Sequence, residues 1–171
     1  RGHLNLFPLQ SKPDEINGGS WIWWRDPPPD TETQMAWLRE RHGPDYIVQL
    51  NHPDLLGMGG AAGYSEGEVV HGDYWSDDFQ ALEVLAGGDA RYTEMFLDLV
   101  NRGYRLAPTG TSDDHGYEGT RGISATFVGL GVDTPGQYTD EALRESFHAQ
   151  RTMATRGPFL SMSVPPGSTV D

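Results

Sequence analysis

The segment Thr109-Gly110-Thr111-Ser112-Asp113-Asp114-His115-Gly116 sets a carboxylate and an imidazole, Asp113 and His115, two positions apart between glycines. In an extended backbone residues i and i+2 share a face, so both side chains are expected to converge just beyond the apolar run Tyr104 to Pro108. Gly110 and Gly116 let the chain turn tightly there. An oxygen and a neutral nitrogen aimed at one point suit a divalent metal such as Zn, Mn or Fe. The same stretch also reads as a solvated loop, with the aspartate capping the next turn and the histidine incidental.

Other residues of the same chemistry stand at comparable places. The β-branched run Tyr46-Ile47-Val48-Gln49-Leu50 leads into Asn51-His52-Pro53, where proline ends strand pairing and holds His52 at the C-terminal lip. Glu83 lies inside the apolar run Phe79 to Leu85, and a buried carboxylate needs a partner. That makes it either a site residue or a hydrogen-bonded structural one. His3 heads the short strand Leu4 to Phe7, which Pro8 stops. A strand's beginning is the wrong end for it to join the others, unless it sits on a lip of preceding structure.

The elements that must position these groups alternate. Asp30-Thr31 reads as a helix cap, with Met35, Ala36 and Leu38 on one face, Arg39, Arg41 and a surface His42 near the end, and Gly43-Pro44 as the stop. Asp89 caps a helix over 90–102 with an apolar face of Tyr92, Met95, Phe96, Leu99 and Val100, stopped by Gly103. Ile123 to Leu130 is a strand, and Thr139 caps a helix carrying Ala142, Leu143 and Phe147. Thr152 to Thr155 and Pro158 to Val164 close the chain as strands. Strands alternating with helices imply an α/β fold with a mostly parallel sheet or barrel, whose ligands bind where the strands end.

Two stretches stand apart. Trp21, Trp23 and Trp24 form either a stacking platform for a sugar or the apolar lid of a core, the commoner use of such a cluster. Residues 54–77 show no period and hold Glu66, Glu68, His71, Asp73 and Asp77, which could bind Ca or substrate but are more often simply solvated.

The composition narrows the partners. A length of 171 residues makes one domain, and a net charge of −13 argues against nucleic acid or an anionic membrane. No apolar run approaches the ~20 residues that span a bilayer, and no signal-peptide pattern is present, so a soluble chain is expected. With no cysteine, any metal must be held by His, Asp or Glu.

Taken together, Gly2-His3-Leu4-Asn5-Leu6-Phe7, Asn51-His52-Pro53, Ala81-Leu82-Glu83-Val84, Thr109 to His115, Arg151-Thr152 and Gly157-Pro158-Phe159-Leu160 form a pattern. It resembles the PHP (polymerase and histidinol phosphatase) superfamily, and within it the carbaryl-hydrolase-like CehA/McbA branch. The resemblance covers nearly the whole chain apart from variable insertions at about 8–45 and 54–77. It implies the C-terminal part of a distorted (β/α)7 barrel with two or three divalent ions at its mouth. By motif matching, His3 and His52 would ligate one ion, Asp113 another, and His115 the same or a third. The implied activity is hydrolysis of a small-molecule phosphoester by metal-activated water, or alternatively of a carbamate or carboxylic ester. Glu83 and Arg121 would lie beside the metals or contact substrate.

The chain also departs from that pattern. The family's opening His-x-His and its metal-bridging Glu lie upstream of Gly-His, whereas this chain starts at Arg1 and stops at Asp171. It is therefore expected to be one partial domain, 1–171, cut at both ends, with part of a metal shell and no turnover alone. Ala125-Thr126 stands where an Arg-Thr pair is usual, and Ala86-Gly87 where an Asn often follows the glutamate. A different class of function is a non-catalytic barrel that binds a ligand or sugar through its tryptophans and acidic loop.

Overall fold

The computed structural model describes residues 3–9, 12–15, 31–53, 62–65, 68–71, 76–85, 91–113 and 123–161. The strands are β1 (His3–Phe7), β2 (Ile47–Asn51), β3 (Ala62–Ser65), β4 (Glu68–His71), β5 (Ala81–Leu85), β6 (Ala107–Gly110), β7 (Ala125–Val128) and β8 (Thr152–Thr155). The helices are α1 (Thr31–His42), α2 (Arg91–Asn101) and α3 (Asp140–His148). A four-stranded sheet runs in the order β1-β2-β5-β6, while β3–β4 and β7–β8 form separate two-stranded pairs. The β2–β5 and β5–β6 pairings are parallel and β1–β2 is antiparallel, so the fold is mixed α/β with a mostly parallel central sheet. Among the described residues, no helix is long and apolar enough to cross a membrane.

Every residue of β2 is buried, as befits a strand covered on both faces. Alternation sends Val48 and Leu50 to one side, where they meet Leu82 and Leu106 under Met35 and Leu38 of α1 and Met95 and Leu99 of α2. On the other side, Ile47, Ala81 and Ala107 pack with Phe147 of α3. The small alanines admit that ring, which also meets Phe7 edge-on at a centroid distance of 5.0 Å. Further along this second face the strands turn polar: Gln49, Asn51, Glu83 and Thr109 are all buried. Gln49 Nε2 donates to Asn51 Oδ1 at 2.7 Å, and Thr109 Oγ1 donates to the Leu82 carbonyl at 3.1 Å, which settles part of that cost.

The helix ends follow local rules. Gly43 and Gly103 adopt positive φ (81° and 94°) just past α1 and α2, where the αL conformation closes a helix. Thr139 caps α3 by accepting from the Ala142 amide at 3.1 Å, and Asp140 and Glu141 complement the dipole in its first turn. The far end of α3 is a Schellman motif: the Arg151 amide bonds the Ser146 carbonyl and the Gln150 amide that of Phe147. Its left-handed residue is Gln150, at φ 53°.

Several expectations need correcting. The stretch 54–77, which shows no period in sequence, does contain elements, β3 and β4, paired antiparallel. The strand before the Asp113 segment starts at Ala107 and runs through Gly110, so Gly110 is a ladder residue and not a turn. The closing strand is absent over 158–161, where the described chain makes no ladder. Val100 is exposed and does not belong to the buried face of α2, because that face is already filled by Tyr92, Met95 and Leu99. His42 is half-buried rather than on the surface. The tryptophan cluster 21–24 lies outside the described residues.

Gly110 is where two parts of the fold touch. A Cβ there would stand 2.7 Å from the Ala125 carbonyl oxygen of β7. The Thr126 hydroxyl binds both polar groups of Gly110, accepting from its amide at 3.0 Å and donating to its carbonyl at 3.1 Å. On the same flank Thr152 Oγ1 donates to the Pro108 carbonyl at 2.9 Å. Side-chain hydroxyls thus join the β7–β8 pair to the central sheet.

Candidate functional site

The C-terminal ends of β2, β5 and β6 lie side by side, and the site is built on this rim. Glu83 sits near the end of β5, fully buried, one residue before a break in register between Glu83 and Leu85. Such bulges re-aim a strand where function needs it. The Val84 carbonyl at the break accepts from Thr93 Oγ1 of α2 at 2.9 Å.

His52 follows β2 directly, at φ 43°, and Asp113 lies beyond β6 at φ 50°. Left-handed backbone at a residue other than glycine costs of order 1–3 kcal/mol and persists where surrounding contacts enforce it. At His52 the enforcing contact is visible. Its amide donates to Glu83 Oε2 at 2.8 Å, and its Nδ1 reaches the same oxygen at 2.8 Å. The other carboxylate oxygen, Oε1, accepts from the Thr111 hydroxyl. On the far side of the ring, Nε2 stands 3.3 Å from Asp113 Oδ1.

Burial is the largest influence on Glu83 and pushes its carboxyl above the usual range, and the Asp113 charge adds to this. The His52 amide hydrogen bond, the His52 charge and the imidazole hydrogen bond work in the opposite direction. An imidazole that gives its Nδ1 proton to a carboxylate presents the lone pair of Nε2 on its other edge. In that neutral form the lone pair would face a second carboxylate, that of Asp113. Two electron-rich atoms 3.3 Å apart repel unless a proton or a cation joins them.

Of the residues singled out from the sequence, His52, Glu83 and Asp113 are brought together. His3 pairs with Asn51 across the β1–β2 ladder. Because β1 runs antiparallel, its first residue belongs to the rim where β2 ends, so no preceding lip is required to place it there. The side chain of His3, and all of His115 and Arg121, lie outside the described residues. Asp113 itself is left-handed, at φ 50°, and the expected convergence with His115 falls on residues outside those described.

Among the described residues, no three His, Asp or Glu side chains are grouped to hold one ion. Glu83 takes the Nδ1 edge of His52, while Nε2 faces Asp113. Thr111 was not legible as part of the site, because a threonine in a Gly-Thr-Ser run carries no signal of its own. No family model, curated protein or solved structure matches the chain.

Proposed function

We propose that the chain is part of a metal-dependent hydrolase of PHP type, its central sheet being the C-terminal part of a distorted (β/α)7 barrel, and that the whole enzyme cleaves small phosphoesters. The observation that carries this reading is the His52 imidazole, buttressed by Glu83 and facing Asp113 across 3.3 Å at the ends of neighbouring parallel strands. Nitrogen and oxygen donors in that pairing suit Zn, Mn or Fe, and a carboxylate behind the histidine is the usual support of such a ligand. His52 and Asp113 would hold the ion, completed by His3 on the same rim and by His115. When bound, it supplies Lewis acidity, acidifying water and polarising the scissile phosphoryl or acyl oxygen.

The chain's own residues do the rest. Glu83 fixes the ring plane and tautomer of His52. The bulge after Glu83 and the left-handed turns at His52 and Asp113 aim the donors outward from a rigid sheet. Arg121 would meet the anionic substrate.

The test, on the full-length protein, is metal content by mass spectrometry, alongside hydrolysis of 4-nitrophenyl phosphate, 4-nitrophenyl acetate and 1-naphthyl methylcarbamate. His52→Ala and Asp113→Ala should both lower bound metal, and any hydrolysis should fall with it. Preference for acetate or carbamate over phosphate would move the substrate class to esters. Unchanged metal stoichiometry in both variants would remove the reading.

A further inference from the structure

We infer that Thr111 is a positioning residue: through Glu83, its hydroxyl holds His52 in the form that carries its proton on Nδ1 and turns Nε2 toward Asp113. Glu83 has two acceptor oxygens and three donors around it. Oε2 serves both the His52 amide and the His52 ring, and Oε1 serves Thr111. The terminal torsion of a glutamate is soft and roughly two-fold, so the side chain alone does not fix which way its oxygens point. The hydroxyl does. Without it, Oε1 would be a buried acceptor with no other donor among the described residues, and relieving that cost would turn Oε2 away from the ring. A neutral imidazole places its proton on whichever nitrogen has the better acceptor beside it. Loss of the Nδ1 acceptor would therefore move the proton to Nε2 and point it at Asp113, converting a lone-pair donor into a hydrogen-bond donor.

Two features suit Thr111 to this task. Its backbone is pinned independently, because its amide donates to the Leu85 carbonyl at 3.0 Å, so removing the hydroxyl leaves the main chain anchored. It also lies two residues before Asp113, so one short segment carries both the carboxylate that faces Nε2 and the hydroxyl that orients the ring. The inference deepens the site proposed above and takes its purpose from that reading. Its test requires neither metal nor turnover.

The experiment is a long-range proton–nitrogen correlation spectrum of the histidine-labelled chain at pH 8.5 in chelator, with His52 assigned by its loss in His52→Gln. The expected spectrum has a pyrrole-type Nδ1 and a pyridine-type Nε2. Thr111→Val, which preserves shape, should lower the ratio of Nδ1–H to Nε2–H by roughly tenfold, the worth of about one hydrogen bond to an ionised acceptor. Thr111→Ser should restore it. Thr111→Ala supplies the same comparison if the valine variant loses its dispersed amide spectrum. Wild-type tautomers in both the valine and alanine variants, no rescue by serine, or an Nε2–H ring in the unmodified chain would each overturn the inference. A chain with the expected tautomers that binds no metal keeps the inference and loses the hydrolase. Metal binding with tautomers indifferent to position 111 does the reverse.

Discussion

A single oxygen of Glu83, Oε2, receives both the backbone amide and the ring Nδ1 of His52, each at 2.8 Å. One buried carboxylate therefore sets both the turn after β2 and the plane of the imidazole. A carboxylate so placed couples the stability of the rim to pH. Burial holds the folded-state proton affinity of Glu83 above its ordinary value of 4.5. The folded chain thus binds this proton more readily than the unfolded chain. The contribution is fully present below the ordinary value and is lost as pH rises through the raised one. Urea midpoints of the wild type minus those of Glu83→Gln should accordingly fall from acid toward neutral pH. A gap that is flat with pH would contradict this.

The same variant bears on metal. The amide introduced by Glu83→Gln would keep one acceptor oxygen but not the charge behind His52, and loss of such a support typically costs about 10–100-fold in metal affinity. Competition against a chromogenic chelator should show that loss in Glu83→Gln while the far-ultraviolet circular dichroism stays unchanged. Equal affinity would mean that the carboxylate serves the turn alone.

Gly110→Ala should destabilise the chain by about 1–3 kcal/mol, the range for overpacking against an unyielding neighbour. The clash is with backbone, the Ala125 carbonyl at 2.7 Å, so no rotamer can relieve it. Denaturant unfolding reads the change directly, and an unaltered midpoint would show that the two strands part easily.

Gln150→Gly should stabilise by about 0.5–1 kcal/mol, since glycine occupies left-handed backbone without the steric cost while losing more entropy on folding. Gly103→Ala should act in the other direction, because Gly103 stands at φ 94° just past α2. Thermal midpoints of the two variants should move oppositely. Movement in one direction would refute the shared geometry of the two helix ends.

The sequence displayed some of these features openly. Gly43 and Gly103 announced helix ends because glycine is cheap at positive φ, and both stand there. Gln150 performs the same task with no glycine to mark it. The apolar runs at 46–50 and 79–85 gave away β2 and β5, whose cores they form. The bounds of β6 are obscured because Leu106, buried beneath α2, looks like strand while Pro108 and Gly110, which lie in the strand, look like turn. β3 and β4 escaped notice because their sequences, AGYS and EVVH, are too short to show a period. At the site, His52, Glu83 and Asp113 could be nominated by residue type and by the strands beside them. The side of the rim on which His3 falls could not, since strand direction depends on a partner distant in sequence. The left-handed turn at His52 was equally hidden, being held by the distant Glu83 carboxylate.

The end of β6 divides the site's foundations. His52 and Glu83 stand on or directly beside main-chain ladders, which shift only by breaking several hydrogen bonds together. Asp113 lies two residues beyond the last main-chain tie of β6, the Thr111 amide on the Leu85 carbonyl. The spacing between Nε2 and Oδ1 is thus set by a short overhang. On the reading proposed above, ions of different radius would be met by travel of the aspartate toward a stationary ring.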